Sequence, residues 1–435
     1  MKHKRLIAGV LMLGMLILCA AIISVSWVSV SQAQEMGLRW DIFHSGWFSV
    51  EADEEKHLAV SGPATLLVKN SNGGITITKG AKGEISIAAH KTAWGATQAE
   101  AEAALALLQV DISQEKDVIT VQVEQKEVSL FNEGENDSVE FTIIVPAETA
   151  VTAHTDFGNV ELSDVTGKAD LRSDYGHIVA TNIKGGLIAH TASGRITAQN
   201  IQGGEMALDL HSDYGDVSLE RATAGQVKAH SSSGLIRLTE VEAEDVDLSS
   251  DYGQIEFEAG WVVQLNVKAE SGRVTLTQLI VNKGLIARSD YGHILLTQVM
   301  APAYDVSTSS GEIKLDGATG SVKAHSDYGD VVVTNAQKVT LDLSTNSGTI
   351  QFTGSLADDP HLLKTDYGDV RLTLPENTAL SLDLRTDYGQ IKSDLPVTLS
   401  GPLEETHWRG TFNGGGASLT AGTDSGNISI EILKP

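Results

Sequence analysis

One pattern constrains this chain more than any other: Ser or Thr, two variable residues, Gly, one variable residue, then Ile or Val, recurring every 18 to 21 residues. Its glycines are Gly158, Gly176, Gly194, Gly215, Gly234, Gly253, Gly272, Gly292, Gly311, Gly329, Gly348, Gly368 and Gly389, with a last clear copy at Gly426. Self-similarity at a short fixed period means one small unit stacked on its neighbours, each unable to bury its apolar face alone. Function in such a chain belongs to columns that run from repeat to repeat, not to a single point.

Within each repeat, as in Leu208 to Leu219 or Val322 to Val333, apolar and polar residues alternate on both sides of the Ser/Thr-x-x-Gly corner. A period of two means strands rather than helices. The chain is therefore expected to be all-β, a flattened parallel β-solenoid with about 19 residues per coil and two main strand faces. One inner column follows the glycine (Ile178, Ile196, Val217, Ile236, Ile255). Another precedes it (Leu171, Ala189, Leu210, Ala229, Leu248) and alternates large with small. At an inter-strand spacing of about 4.8 Å, some fourteen coils make a rod on the order of 65 Å long. The corner glycine is expected to take a left-handed or otherwise strained conformation that a side chain would resist.

A longer period is hidden in the ladder. Asp-Tyr precedes the glycine at Tyr175, Tyr214, Tyr252, Tyr291, Tyr328 and Tyr367, while Ser193, Ser233, Ser271, Ser310 and Ser347 occupy the tyrosine position between them. The true repeat is thus a coil pair of about 38 residues. Carboxylates on every coil would repel at about 4.8 Å, and alternation roughly doubles that distance. The alternation breaks twice: Asp387-Tyr388 directly follows the Asp366 coil, and Asp156-Phe157 directly precedes the Asp174 coil. Such doublings are expected where a regular rod meets its caps.

The residue two before the Asp is basic in most of these coils, at Arg172, His211, Arg288, His325, Lys364 and Arg385, with Ser249 the exception. Residues two apart share a strand face, so a surface ladder of Asp with Arg, Lys or His is expected to pin register. Tyr175, Tyr214, Tyr252, Tyr291, Tyr328, Tyr367 and Tyr388 form the candidate ligand-binding column, a repetitive strip offered to a polymer such as a glycan. The competing reading is corner and register packing, with each ring body in contact and its hydroxyl wet. His190, His211 and His230 share one register on successive coils. Adjacent imidazoles there could share a metal ion, or form a solvated polar column; no metal or cofactor is assigned.

Residues 1–33 combine a basic start (Lys2, Lys4, Arg5) with an apolar stretch from Leu6 to Val28, an export signal or uncleaved membrane anchor. Ser31-Gln32-Ala33 offers small residues for cleavage, and Cys19, mid-stretch after Leu18, does not fit a lipoprotein site. Cys19 is the only cysteine, so the exported part has no disulfide or thiol chemistry. Without those three cations the net charge moves from −26 to −29, against nucleic acid and anionic lipid as partners. Residues 34–60 form a lead-in or spacer, aromatic-rich at Trp40, Phe43, Trp47 and Phe48 and then acidic.

Residues 61–150 read as an N-terminal capping unit of mixed helix and strand. It opens with an early corner copy, Asn70-Ser71-Asn72-Gly73-Gly74-Ile75, followed by a helix at 97–109 whose start, Thr97 to Glu100, matches a capping box. Strands are expected at about 117–126 and 137–146. Residues 151–435 are the solenoid with its C-terminal cap, closing through Asn413-Gly414-Gly415-Gly416 and the Gly426 corner. The caps are expected to keep open ladder edges from pairing with other molecules.

Taken in order, the opening Asn-Ser-Asn-Gly-Gly-Ile, the Ala-rich helix, the strand Phe141 to Pro146, the repeated corners and the closing glycines resemble the bacterial "putative adhesin" β-solenoid family. The match covers about 61–433. The resemblance implies a right-handed β-helical rod with an exported or envelope role, in a domain of otherwise unknown function, and it transfers no catalytic residue. The leading function is a noncatalytic surface protein, located outside the cytoplasm, whose lateral face serves attachment or assembly with a surface glycan or another envelope protein.

A polysaccharide-active enzyme would need a local carboxylate cluster that departs from the repeat, and Asp358-Asp359-Pro360-His361 is the best such stretch. The third reading is a membrane-anchored sensor or accessory protein, whose five cytoplasmic residues would leave signalling to a partner. The nine-residue calcium-binding repeat of exported toxins is excluded by spacing.

Overall fold

The computed structural model describes residues 48–125, 137–401 and 404–434. Its strands join in one 32-stranded sheet, most of it a parallel ladder that climbs coil by coil. Both inner columns stack in register. Ile178, Ile196, Val217, Ile236 and Ile255 pair in sequence on one face, and Leu171, Ala189, Leu210, Ala229 and Leu248 on another. In the strand Ile236–Ser250 the inward residues are Ile236, Leu238, Val241, Ala243, Val246, Leu248 and Ser250, all buried. The outward ones are charged or polar, as period-two alternation requires.

Each mid-rod coil has three ladder segments rather than two main faces. Between Val217–Ser231 and Ile236–Ser250, pairing lapses at Arg221/Glu240 and again at Gly225/Glu244, so a short third segment separates two longer ones. The first lapse is a left-handed turn six residues after the corner glycine. It is occupied by Asp164, Asn182, Asn200, Arg221, Glu240, Ala259, Gln278, Gln298 and Asn335, with φ between 52° and 61°. Left-handed backbone costs a residue with a Cβ roughly 1–2 kcal/mol. Side-chain bonds between coils offset part of that cost: Asn182 Nδ2 donates to Asp164 Oδ1 at 2.9 Å, Asn200 Nδ2 to Asn182 Oδ1 at 3.0 Å, and Arg221 Nε to Asn200 Oδ1 at 2.8 Å.

The corner glycines correct the sequence-based expectation. From Gly176 to Gly426 none of them has positive φ. Their constraint is space: a Cβ on any one would collide with the carbonyl of the corner glycine on the neighbouring coil, as at Gly234 against Gly215 and Gly253 against Gly234. The Ser/Thr three positions earlier completes the corner. Ser231 Oγ donates to Gly215 O at 2.9 Å and accepts from Gly234 N–H at 2.8 Å. Ser212 and Ser326 make the same pair of bonds. Each buried hydroxyl thereby satisfies itself and two backbone groups that the corner would otherwise leave unpaired.

At the N-terminal end the coil built from Thr65–Asn72 and Ile75–Lys79 lies between Val118–Gln125 with Ser138–Val145 on one side and Ala150–Phe157 with Val160–Ser163 on the other. Phe48–Ala59 pairs antiparallel with Glu84–Gly95, which pairs antiparallel with Ser138–Val145. The helix is Gln98–Leu107, capped by Thr97 in a full capping box, and it ends before the expected 109 because Leu108 already begins the strand Leu108–Glu115. No helix among the described residues is long and apolar enough to cross a membrane. The expected leader or anchor at 1–33 lies outside the described residues.

The C-terminal end reorders the chain. Ala417–Thr423 pairs in parallel with both His361–Thr365 and Leu380–Thr386, and Ile428–Ile432 pairs with both Val370–Leu374 and Ile391–Ser393. The last coil in sequence is therefore inserted between the two coils before it. His407–Phe412 then runs antiparallel along Leu380–Thr386, and the short strand Val397–Leu399 pairs antiparallel on its other side at the outer edge.

Candidate functional site: the tyrosine strip

The corner that admits no side chain at glycine pushes the preceding residue outward. Each tyrosine of the strip donates its backbone N–H to a carbonyl on the neighbouring coil: Tyr175 to Asp156 (3.0 Å), Tyr214 to Ala192 (3.0 Å), Tyr252 to Ser232 (2.8 Å), Tyr291 to Glu270 (2.9 Å), Tyr328 to Ser309 (3.0 Å), Tyr367 to Asn346 (2.9 Å) and Tyr388 to Asp424 (2.9 Å). All seven share one backbone pose. Their exposure runs from 62 % at Tyr175 to 82 % at Tyr388. The strip is largely exposed, and at Tyr175 the ring is also stacked on Phe157.

The inserted coil removes one of the two breaks in alternation. Ser425 N–H donates to Asp366 O and Tyr388 N–H to Asp424 O, both at 2.9 Å, so Ser425 sits between Tyr367 and Tyr388 in space. The spatial order of this column is tyrosine, serine, tyrosine through to the C-terminal end. The N-terminal break is real: Phe157 and Tyr175 lie on adjacent coils with ring centroids 4.9 Å apart and planes 5° from parallel.

The Asp–basic ladder forms in part. His211 reaches Asp213 (3.0 Å), His325 Asp327 (3.2 Å), Lys364 Asp366 (3.7 Å) and Arg385 Asp387 (3.1 Å). Arg172 turns instead to Asp170 (2.9 Å), two residues back on its own strand face, and Arg288 to Asp305 (3.5 Å) on the next coil. A long cation on a strand has carboxylates within reach along the strand and across it, and spacing alone does not choose between them. Exposed pairs of this kind contribute about 0–1 kcal/mol each.

His190, His211 and His230 do stack in register, with successive centroids 5.5 and 4.8 Å apart. His211 is committed to Asp213, and His230 Nδ1 lies 2.9 Å from Ser249 Oγ. Among the described residues, the side chains that bring three ligand atoms within 4.8 Å of one another are His154, Asp156 and Asp174, at the doubled N-terminal coils. Asp359 and His361 are tied into the fold. Asp359 Oδ2 accepts from Thr340 Oγ1 at 3.2 Å, while buried His361 accepts the Leu341 N–H at Nδ1 (3.3 Å) and donates from Nε2 to Ala357 O (3.2 Å). Burial holds this imidazole below its usual pKa, against the smaller opposing effects of the Ala357 carbonyl and Asp359.

Sequence reasoning missed a second exposed column. Trp261, Ile280 and Met300 stack on successive coils and stay about half exposed. Beside Trp261 lies an open cleft of about 640 Å³ lined by Arg221, Glu240 and Glu242 among others. Two positions before Trp261, Ala259 occupies the left-handed turn, and neither residue carries a repeat signature that could have announced the cleft.

Fold and strip together define a parallel β-solenoid of short, glycine-locked coils carrying an exposed aromatic comb. The chain belongs to the Toastrack family, DUF4097, whose profile matches residues 65–260 and 258–431. No curated protein matches it. Two solved structures align along it: a "putative cell adhesion protein" from Clostridium sporogenes, at 8% identity over 88% of this chain and 100% of that one with a TM-score of 0.16, and a "putative adhesin" from Bacteroides fragilis, at 11% identity over 88% and 97% with a TM-score of 0.19. Similarity at those scores carries no argument about what this chain binds.

Proposed function

We propose that this protein is a noncatalytic rod of the cell surface or envelope that attaches to a glycan along its tyrosine strip. The observation that carries this reading is the strip itself: seven tyrosines in one line, each more than 60 % exposed, supplied by every second coil. Exposed aromatic faces with a hydroxyl tip offer apolar contact and hydrogen bonding together, which suits sugars. A net charge of −26 favours an uncharged polymer over nucleic acid or anionic lipid. A noncatalytic role is supported by the internal ties of Asp359 and His361, the candidate acid–base residues of the stretch that sequence reasoning singled out for catalysis.

The test is a glycan and envelope-polymer array, probed with and without Ca²⁺ by the wild type and by variants lacking one, three or five of the tyrosines. Binding to one polymer class that weakens stepwise with each tyrosine removed is expected. Complete loss on a single Tyr→Ala change, or indifference to all of them, contradicts a repetitive strip.

A further inference from the structure

We infer that His154, Asp156 and Asp174 bind one divalent transition-metal ion, Zn²⁺ by preference, where the solenoid joins its N-terminal cap. The site does not depend on what the tyrosine strip holds. The strand Ala150–Phe157 turns residues 152, 154 and 156 outward, so His154 and Asp156 stand side by side on one face. The next strand, Ala169–Ser173, runs in register beside it with Arg172 opposite His154. Asp174 follows at the corner and is level with Asp156: Asp174 N–H donates to Thr155 O at 3.2 Å and Tyr175 N–H to Asp156 O at 3.0 Å. One imidazole therefore faces carboxylates from two coils. His154 Nε2 lies 3.4 Å from Asp156 Oδ1 and 3.8 Å from Asp174 Oδ1, and the three ligand atoms are within 4.8 Å of one another.

The repeat supplies its own comparison. His211 with Asp213, and His325 with Asp327, occupy the same two positions on later coils, and there the imidazole closes on its own Asp at 3.0 and 3.2 Å. The residues level with those aspartates on the adjoining coils are Ala192 and Ser232, and Ser309 and Asn346, none of them a carboxylate. Beside Asp156 the level residue is Asp174, and His154 stands off from both. Of the cations in register with His154, Arg172 is turned to Asp170 at 2.9 Å and Lys69 is exposed on the coil before. Two like charges about one coil spacing apart thus share a single imidazole, an arrangement that a cation between them relieves.

The spacing suits zinc. Bonds of 2.0–2.2 Å to a tetrahedral ion place its ligand atoms about 3.3–3.6 Å apart, so the three side chains need shift by only roughly a few tenths of an ångström. An imidazole with two carboxylates fits Zn²⁺, whereas Ca²⁺ and Mg²⁺ take oxygen ligands. The two charges of the ion balance the two carboxylates. Three protein ligands leave the fourth position to water. His154 and Asp156 are half-buried and Asp174 is exposed, so the ion can enter from solvent. Once bound, it ties the Ala150–Phe157 coil to the Ala169–Ser173 coil and stabilises the folded rod by mass action.

The test is calorimetric titration of the full chain, stripped of metal by a chelator, with Zn²⁺, Ca²⁺ and Mg²⁺ in turn, alongside melting curves. The expected result is one Zn²⁺ per chain, bound more tightly than Ca²⁺ or Mg²⁺, and a melting temperature that rises with Zn²⁺. His154→Gln and Asp174→Asn should each weaken Zn²⁺ binding about tenfold or more and abolish that rise. Each variant is read against its own metal-free melting curve. There Asp174→Asn should match or exceed the wild type, because it removes one of two neighbouring like charges. His211→Ala with His230→Ala removes two of the three stacked imidazoles, the competing nitrogen ligands, and should leave the titration unchanged.

No Zn²⁺ binding by the wild type overturns the site. So does binding that survives His154→Gln or Asp174→Asn, since the changed side chain is then not a ligand. Loss of the ion with the His211 and His230 changes moves it to the histidine stack, and tighter binding of Ca²⁺ than of Zn²⁺ removes the imidazole from the ligand set; either result overturns the assignment.

Discussion

The middle of the rod and its C-terminal end are built from the same corner but are held in opposite ways. From Val217 to Ser289 each coil pairs with the coil before and after it in the chain, so sequence neighbours are spatial neighbours. At the end, the Gly426 coil is threaded between the Gly368 and Gly389 coils, 37 residues after the second of them. A solenoid coil presents the same ladder edge above and below, so any coil can in principle follow any other. The end exploits this to bury its last coil on both sides and cover the remaining edge with two antiparallel strands, His407–Phe412 and then the short Val397–Leu399. The middle needs no such device because it has no edge.

The largest expected contrast follows from deletion. Removing residues 235–272 takes out one coil pair and joins Gly234 to Arg273 with the tyrosine alternation intact, so a shorter folded rod of unchanged circular dichroism is expected. Truncation before residue 404 removes the threaded coil and the closing strand, strands the Gly389 coil and opens a ladder edge; light scattering should report self-association. A dispersed, fully folded truncation would mean that the end is not a closure.

Next in size, Gly253→Val should cost about 3 kcal/mol by urea unfolding, because its side chain meets the Gly234 carbonyl. Gly62→Val, with nothing within 4 Å of its Cβ, should be near neutral. Ser231→Ala in the middle and Thr423→Ala at the end remove equivalent corner bonds, to Gly215 O at 2.9 Å and Gly368 O at 2.8 Å. Each should cost about 1–2 kcal/mol. Hydrogen exchange will separate them: loss of protection confined to the coils around Gly234 in the first case, and spread over the whole C-terminal end in the second, sharpens the comparison.

The smallest effects are in pH. His361 is held neutral by burial, so the unfolded chain binds the proton first. Stability should fall as pH drops below the ordinary value of 6.5, and His361→Asn should flatten that dependence. Asp369 accepts the Asn427 N–H at 2.9 Å and an Arg371 N–H at 2.8 Å, and these, the Asn427 bond first, hold its carboxyl below the ordinary value. Its contribution is complete above 3.8 and is lost as pH falls through the lower folded value. Protonation of Asp369 weakens its bond to Asn427, so Asn427 exchange should begin to rise only as pH falls through that lowered value, and a rise already complete at 3.8 would contradict the bond's role.

Much of this was legible in the chain. The inward columns through Ile236 and Leu248, the Thr97 capping box and the Asp-Tyr period all follow from local patterns whose physical basis lies within a residue or two. Other features were not. The left-handed turn is occupied by Arg221, Glu240 and Gln278, residue types that carry no signal for that conformation, although Asn182 and Asn200 hinted at it. Asp170 and Asp174 both lie two residues from Arg172, so spacing did not reveal that Arg172 pairs with Asp170. The glycine column was visible, but its reason was not: a carbonyl on the neighbouring coil exists only once coils are stacked.

By itself the sequence determined the coil, its length and its inner face, because alternation with period two and a corner that tolerates no side chain leave one way to bury Ile, Leu and Val. Only the tertiary structure decided which coil lies against which at the C-terminal end, and hence that Tyr388 continues the comb rather than breaking it. Identical ladder edges do not encode their partner. That choice was made by chain connection and by the closure of the last open edge.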